Sequence, residues 1–192
     1  SAIESRWQRA LPFFKKRGTV IFVSDRYRFW ESFGFVQQSL ARVLVNHGVK
    51  VLWLDGVGWR PYEPVVSPCS ELLTVKQLIQ LPGRRWGWVD ALSMKIEVAM
   101  IRKAMTESFG QKSLLWVQGG LDDRVAQELD YIDVYSVFDD AMAHPPLSPL
   151  TEKANLILTQ NRWAEDYFKK VYPKKTLLSF PPMELDSSIF NM

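Results

Sequence analysis

Residues that bind transition metals or form disulfides are scarce in this sequence. It contains one cysteine, Cys69, and two histidines among 192 residues. A single cysteine excludes a disulfide within the chain and is typical of a reducing compartment, so we expect a cytoplasmic protein. So few histidine and cysteine side chains argue against a zinc or iron site, and the sequence assigns no metal ligands and no resident cofactor.

Long apolar runs and phosphate-binding glycine loops are also missing. No run reaches the roughly 20 residues of a bilayer-spanning helix, and the first residues lack the apolar stretch of a signal peptide. The stretch 24–35, which follows the first predicted strand, contains Gly34 as its one glycine. A dinucleotide fingerprint and a P-loop are therefore absent, which argues against a nicotinamide enzyme and an NTPase. Ser136 lies within a predicted strand, not on a nucleophile elbow.

The composition is that of a globular domain enriched in aromatic residues. Apolar residues make up 47% of the chain, enough for a full core, and 192 residues suit a single domain. The formal charge of +3 is too small to predict a nucleic-acid partner. The eight tryptophans are the unusual component.

Predicted strands and helices alternate along the chain. Apolar strands are predicted at 19–24, 49–54, 113–118, 133–138, 155–160 and 175–180, with a shorter strand signal within 72–81. Helices are predicted at 32–47, 90–109, 121–130 and 162–171, with a turn at 151–154 and a Gly- and Pro-rich loop at 56–68. Gly48 should end the first helix, and Trp163, Tyr167 and Phe168 should face inward on the last. This alternation predicts an α/β fold, a parallel sheet with helices on both faces.

Polar residues follow the predicted strands, and in open parallel sheets ligands bind beyond the carboxyl ends of the strands. The residues at these positions are Ser24, Asp25, Arg26, Asp55, Gly56, Gln118, Gly119, Gly120, Asp139, Asp140, Gln160 and Asn161. Gly119 and Gly120 would let a ligand or another part of the backbone approach closely. Asn161 also suits the N-cap of the last helix.

Asp139 and Asp140 are the strongest candidates for catalysis. A carboxylate that is partly desolvated at a strand end can have a raised pKa and act as a general base. The alternative is structural, with one aspartate capping a helix and the other solvated. His144 follows four residues after Asp140, but Pro145 and Pro146 prevent a continuous helix, so a metal pair is not expected. His144 is either a loop residue or a contact to substrate.

Arginine and tryptophan occur together in segments 59–62 and 84–88. Three interpretations remain open: simple surface stacking, an aromatic platform for a sugar ring, and contact with a membrane surface, where Trp prefers the interface and Arg meets lipid phosphate. Trp30 lies in a separate loop of polar and aromatic residues, 25–30, after the first predicted strand. The amphipathic stretch from Ile3 to Arg17 also fits the membrane interpretation.

Several segments together resemble a known enzyme family. They are TVIFVSDRYRFWESFGFVQQSLARVLVNHGVKVLWLDG, LIQLPGRRWGW, SLLWVQ, VYSVFDDAMAH, EKANLILTQNRWAEDYFKKVYP and LLSFPPMELDSSIF. In these segments the chain resembles the N-terminal domain of GT-B glycosyltransferases, in particular bacterial members of glycosyltransferase family 4 that build surface polysaccharides. The likeness spans nearly the whole chain.

The resemblance implies one Rossmann-like domain over 1–192 that binds the acceptor. It implies a nucleotide-sugar donor, as substrate and not as cofactor, bound chiefly by a C-terminal domain that this chain lacks, so the chain alone should be inactive. It implies that Asp139 or Asp140 deprotonates the acceptor hydroxyl in an inverting enzyme, or positions the acceptor in a retaining one. Asp25, Arg26, Trp30, Gln118, Gly119, Gly120, His144 and Asn161 would contact the acceptor. Family members also dock on the inner membrane through basic and aromatic surface.

Two functions therefore remain open. The first is the acceptor-binding half of a sugar transferase that acts on a cell-surface polysaccharide or a lipid-linked acceptor. The second is a non-enzymatic binding or scaffold module with the same fold. A receiver-like signalling domain fits less well, because such domains have about 120 residues.

Overall fold

A computed structural model of the chain describes residues 12, 14–16, 18–23, 36–59, 65–67, 70–107, 113–118, 121–137, 148–159 and 162–178. Its strands are β1 (Thr19–Val23), β2 (Lys50–Gly58), β3 (Val65–Ser67), β4 (Ser70–Ile79), β5 (Leu114–Gln118), β6 (Ile132–Val137), β7 (Ala154–Thr159) and β8 (Thr176–Leu178). Its helices are α1 (Val36–Asn46), α2 (Gly87–Thr106), α3 (Asp123–Glu128), α4 (Pro149–Lys153) and α5 (Arg162–Val171).

All eight described strands belong to one sheet, in the order β3-β4-β2-β1-β5-β6-β7-β8. Every neighbouring pair is parallel except β3 with β4. Without β3, the parallel strands follow the order of the doubly wound Rossmann fold, extended at one edge. In this order the strand sequence reverses between β1 and β5, which places the topological switch point there.

Helices cover both faces of the sheet, so the predicted α/β class with a Rossmann-like parallel sheet is confirmed. On one face, here called the α1 face, the core contains α1 residues such as Leu40 and Leu44, together with Phe22 and Trp116 from the sheet. On the other, the α2 face, residues from α2, α3, α4 and α5 pack on alternate residues of the same strands. Burial on both sides explains why β1 and β5 read as continuous apolar runs.

The end of α1 forms as its sequence predicts. Gly48 has φ +78°, a left-handed conformation that glycine adopts without a Cβ clash. The backbone N–H of Gly48 bonds to the carbonyl of Val45 at 2.9 Å, and that of Val49 bonds to the carbonyl of Leu44 at 2.9 Å. These bonds satisfy carbonyls that the helix leaves open and lead the chain directly into β2.

The predicted loop over 56–68 is wrong at both of its ends. Strand β2 continues to Gly58, because the register with β4 shifts between Asp55 and Val57 and pairing resumes beyond the shift. Val65–Ser67 forms a short antiparallel edge strand on β4. β4 itself is a full strand of ten residues where the sequence indicated a short one. Glycine and proline density indicated local breaks, but pairing with β4 is a tertiary contact that local composition does not report.

The orientation predicted for α5 is partly wrong. Phe168 is buried in the α2-face core and Tyr167 packs against that core, as expected. Trp163, predicted to face inward, is 51% exposed. The helix instead turns Ala164 and Phe168 toward the sheet, and Trp163 stacks on Tyr167 one turn away with ring centroids 6.1 Å apart.

Candidate functional site

A row of buried polar side chains crosses the carboxyl end of the sheet. Leu54 and Val117 both pair with Val23, so Asp55 and Gln118 come one residue later on the strands either side of β1. Asp55 pairs with Gln77 on β4, and Gln118 pairs with Ser136 on β6. Because side chains alternate along a strand, all four side chains lie on the α1 face. We call Gln77, Asp55, Gln118 and Ser136 the polar row.

The members of the polar row are almost fully buried. Asp55 is 0% exposed, and Gln118 and Ser136 are each 2% exposed. Polar groups at such depth normally have hydrogen-bond partners, because an unsatisfied group costs roughly 1–3 kcal/mol. Within the described part of the chain, neither the oxygen nor the nitrogen of the Gln118 amide has one.

An aromatic row lies directly beneath the polar row on the same face. Trp53, Phe22 and Trp116 are in register on β2, β1 and β5. The centroid of the Phe22 ring lies 5.4 Å from that of Trp53 and 4.9 Å from that of Trp116. Phe14 extends the stack, 5.5 Å from Trp116. This buried row is an apolar support for the side chains that follow it along each strand.

Trp116 is bonded to the polar row. Its indole Nε1 donates a hydrogen bond of 2.6 Å to the hydroxyl oxygen of Ser136, and both residues are buried. The chain therefore places Ser136 on β6 beside Gln118, and Gln118 ends β5, which borders the switch point where open α/β sheets bind ligands. The aromatic row holds the Ser136 side chain through the Trp116 hydrogen bond.

Of the residues predicted to act in catalysis or to contact the acceptor, Gln118 alone lies within the described residues, and Asp55 and Gly56, which also follow a predicted strand, are described as well. The predictions for Asp139, Asp140, Asp25, Arg26, Trp30, Gly119, Gly120, His144 and Asn161 fall outside them and stay predictions. Strands β1, β5, β6 and β7 end at Val23, Gln118, Val137 and Thr159, so the predicted positions follow described strand ends in the sequence.

Gln77 and Ser136 are polar-row members that the sequence analysis did not select. Each lies on the strand face whose preceding position, Val75 or Val134, is buried. Ser136 lies within β6 and not on a turn, as predicted. Their signal in the sequence is a polar residue near a strand's carboxyl end, which does not by itself separate them from the other polar residues of β4 and β6.

A closed network of charges joins the elements beside the site. Arg84 Nε lies 2.7 Å from Asp90 Oδ1, and Arg124 Nη1 lies 2.6 Å from Asp90 Oδ2. Arg124 Nη2 lies 2.7 Å from Asp122 Oδ2, and the Arg84 Nη1 donates to the Gln80 side-chain oxygen at 2.9 Å. The network fixes the segment after β4 against the first turns of α2 and α3.

The charges in this network shift one another's titration. Hydrogen bonds from Arg84 and then Arg124 lower the pKa of Asp90, and the hydrogen bond from Arg124 lowers the pKa of Asp122. The carboxylates in turn raise the pKa of Arg124, Asp122 having the larger effect. Asp90, Asp122 and Arg124 are therefore held in their charged forms at neutral pH.

An exposed aromatic and basic surface begins immediately after this network. Trp86 is 53% exposed and Trp88 is 71% exposed at the start of α2, and Leu92 follows one turn later at 44%. The guanidinium of Arg85 lies 5.4 Å from the centroid of the Trp86 ring. Lys95 is exposed on the next turn of α2. We call Arg85, Trp86, Trp88, Leu92 and Lys95 the α2 surface.

Neither a metal cluster nor a bilayer-spanning helix is found in the described part of the chain. Within the described ranges, no three His, Cys, Asp or Glu side chains come close enough together to hold a metal ion. No helix in the part of the chain that the structure covers combines the length and the apolar character needed to cross a bilayer.

Comparison with known proteins gives little beyond this geometry. No protein-family model matches the chain, and no curated protein matches it significantly. Among solved structures, the chain is similar to an alpha,alpha-trehalose-phosphate synthase (UDP-forming) from Burkholderia vietnamiensis, at 14% sequence identity and a TM-score of 0.42. That match covers 85% of this chain but 48% of the synthase, so the chain spans about half of that protein's length. A similarity this low carries no argument about function.

Proposed function

We propose that this chain forms the acceptor-binding wall of a GT-B sugar transferase. In this proposal a nucleotide-sugar donor binds chiefly on a second domain, and the sugar passes to a cell-surface polysaccharide or a lipid-linked acceptor. The observation that carries the proposal is the buried Gln118 amide, which has no hydrogen-bond partner among the described residues, at the topological switch point. A ligand with polar groups would satisfy it.

The character of the polar row favours a sugar over a phosphate or a dinucleotide. Amide and hydroxyl side chains bind neutral hydroxyl groups, whereas phosphate sites use arginine, lysine or glycine-rich loops. The polar row contains no cationic side chain, and the sequence has no phosphate loop after β1. An acceptor sugar therefore suits this wall better than the donor nucleotide does.

Asp139 and Asp140 are proposed to act on the acceptor hydroxyl. They follow the end of β6 in the sequence, directly after Phe138. In an inverting reaction one carboxylate would accept the proton as the hydroxyl oxygen attacks the sugar. In a retaining reaction the pair would position the acceptor. The chain's remaining predicted contacts, including Asp25, Arg26 and His144, would complete that pocket.

We further propose that the α2 surface contacts an anionic membrane, which would bring a lipid-linked acceptor to the enzyme. Trp86, Trp88 and Leu92 present apolar area, and Arg85 and Lys95 add positive charge beside it. The nearby carboxylates of Asp90 and Asp122 are neutralised by Arg84 and Arg124. Anionic headgroups would therefore meet a local excess of cations.

The test is sugar transfer by the protein that the complete gene encodes. Release of nucleotide from a panel of nucleotide sugars is measured with lipid-linked and oligosaccharide acceptors. Asp139→Asn or Asp140→Asn should lower turnover about a hundredfold or more if that carboxylate is the base. A folded protein that releases no nucleotide with any donor would contradict the transferase and favour the alternative, a non-enzymatic binding module.

A further inference from the structure

We infer that Gln118 and Ser136 together bind two neighbouring hydroxyl groups of a ligand. We also infer that the hydrogen bond from Trp116 leaves the Ser136 hydroxyl to act as a donor. The ligand class is a neutral vicinal diol, as on a sugar ring. This inference rests on the proposed function and deepens it, because it names the groups that recognise the acceptor and adds two residues to the site.

The hydrogen bond from Trp116 determines what Ser136 can offer. An indole N–H donates and cannot accept, so the 2.6 Å contact uses one lone pair of the Ser136 oxygen. The hydroxyl proton must then point elsewhere, and within the described ranges the Ser136 hydroxyl donates to no acceptor. Ser136 can therefore donate a hydrogen bond to a ligand, and the bond from Trp116 limits the directions in which its hydroxyl proton can point. Trp116 is thus a positioning residue.

Gln118 complements this donor. Its amide offers a carbonyl oxygen and two N–H groups, and none of these is used within the described residues. Gln118 and Ser136 are Cα partners on adjacent parallel strands, which lie about 4.8 Å apart. Two side chains at this spacing can reach two hydroxyl groups on adjacent ring carbons. One hydroxyl would donate to the Gln118 oxygen, and the other would accept from Ser136.

The surroundings favour a neutral ligand. Asp55 carries a carboxyl group in the same row, on the far side of β1, and is 0% exposed. The basic side chains of the charge network, Arg84 and Arg124, are already paired with Asp90 and Asp122. An anion at Gln118 would therefore meet no compensating charge in the polar row, and burial would make its desolvation costly.

A binding experiment with small probes tests the inference on the chain itself. Nitrogen-15 NMR follows the Gln118 side-chain amide during titration with cis-cyclohexane-1,2-diol, with cyclohexanol and with inorganic phosphate. The diol should shift the Gln118 amide resonance and bind more tightly than cyclohexanol, and phosphate should leave it unmoved. No shift with the diol, or a larger shift with phosphate, overturns the inference.

Variants separate the three residues. Gln118→Met should weaken diol binding about tenfold, and Ser136→Ala about three- to tenfold, as expected for lost hydrogen bonds. Trp116→Phe keeps an aromatic ring in the stack but frees the Ser136 hydroxyl, so diol affinity should fall while cyclohexanol affinity stays the same. Gln127→Met, on the exposed side of α3, is the matched control and should change nothing.

Thermal unfolding distinguishes ligand recognition from a structural role. Because the Gln118 amide lacks a described partner, Gln118→Met should raise the melting temperature of the ligand-free chain by about 2–4 °C. A lower melting temperature together with unchanged diol binding would mean that buried water satisfies the amide, which overturns the inference. If Gln118→Met does not affect sugar transfer by the complete protein, the inference is wrong and the proposed function stands. If the chain binds the diol but the complete protein transfers no sugar, the proposed function is wrong and the inference stands.

Discussion

Arg124 Nη1 lies 2.6 Å from Asp90 Oδ2, and this contact ties the first turn of α3 to the first turn of α2 across 34 positions of the sequence. Arg84 approaches the same carboxylate from the segment after β4, at 2.7 Å. Three separate parts of the chain therefore meet at one aspartate. The arrangement holds the start of the α2 surface in place beside the carboxyl end of the sheet.

The N-cap of α3 gives a first prediction. The Asp122 side chain accepts the backbone N–H of Arg124 at 2.9 Å, and it also pairs with the Arg124 guanidinium. Asp122→Ala removes the cap and should lower the free energy of unfolding by about 1 kcal/mol, measured by urea denaturation. Asp122→Asn retains a capping oxygen and should lose less. Equal losses in the two variants would show that charge, and not capping, is the main contribution.

The dependence of stability on acid gives a second prediction. The folded-state pKa of Asp90 and of Asp122 lies below the ordinary value of 3.8, so the unfolded chain binds more protons in acid. Their contribution is fully present above that value and is lost as the pH falls through the lowered pKa. The double variant Asp90→Asn with Asp122→Asn should therefore flatten the acid side of a plot of melting temperature against pH.

A matched control for that experiment lies on the same helix-rich face. Glu107 forms exposed ion pairs with Lys76 at 3.4 Å and with Lys103 at 3.6 Å. Glu107→Gln should leave the acid side almost unchanged, because exposed ion pairs contribute little to stability. If the melting temperature of the double variant still falls steeply with acid, other carboxylates govern acid unfolding.

Two glycines give a third prediction that isolates backbone strain. A Cβ would meet no atom within 4 Å at Gly48 or at Gly87, so neither substitution by alanine causes a side-chain clash. Gly48 has φ +78°, whereas Gly87 is helical. Gly48→Ala should lower the free energy of unfolding by about 1–2 kcal/mol, while Gly87→Ala should be neutral or slightly stabilising. Both are measured by urea denaturation, and equal effects would contradict the role assigned to Gly48.

The α2 surface gives a fourth prediction. Trp88→Ser should weaken binding to phosphatidylglycerol vesicles about tenfold, since it removes a large apolar side chain that is 71% exposed. Trp163→Ser removes a tryptophan that is 51% exposed on α5, outside this surface, and serves as the control. Sedimentation with vesicles measures both. If both variants lose binding equally, or the unaltered chain does not bind, the membrane proposal for this surface fails.

Much of the fold was predictable because the parallel sheet leaves a strong local pattern. β1 and β5 are short apolar runs, and Gly48 marks the end of α1, all as expected. Strand β3 and the extension of β2 were not predictable, because they depend on pairing with β4. Trp163 was wrongly predicted to face inward because it lies four residues from Tyr167, on the same face of α5. That face is only partly buried, and Trp163 lies on its exposed side.

The candidate site was predictable to a smaller extent. Gln118 could be selected because it ends an apolar strand, and ligands bind at that end of a parallel sheet. Ser136 and Gln77 could not be ranked above other polar strand residues from local sequence. Their significance depends on register: each is a Cα partner of another buried polar residue, on a strand distant in sequence.

Local sequence was enough to predict the secondary-structure alternation, the two-sided burial of the central strands and the lack of phosphate loops, because each depends on residues that are close along the chain. Tertiary structure decided the strand order, and with it which strand ends meet at the switch point. It also decided that the Trp116 indole bonds to Ser136, while the Gln118 amide beside it has no partner within the described residues. The physical reason is that hydrogen bonds between parallel strands join residues far apart in sequence, so register, and not composition, sets which polar groups share a site.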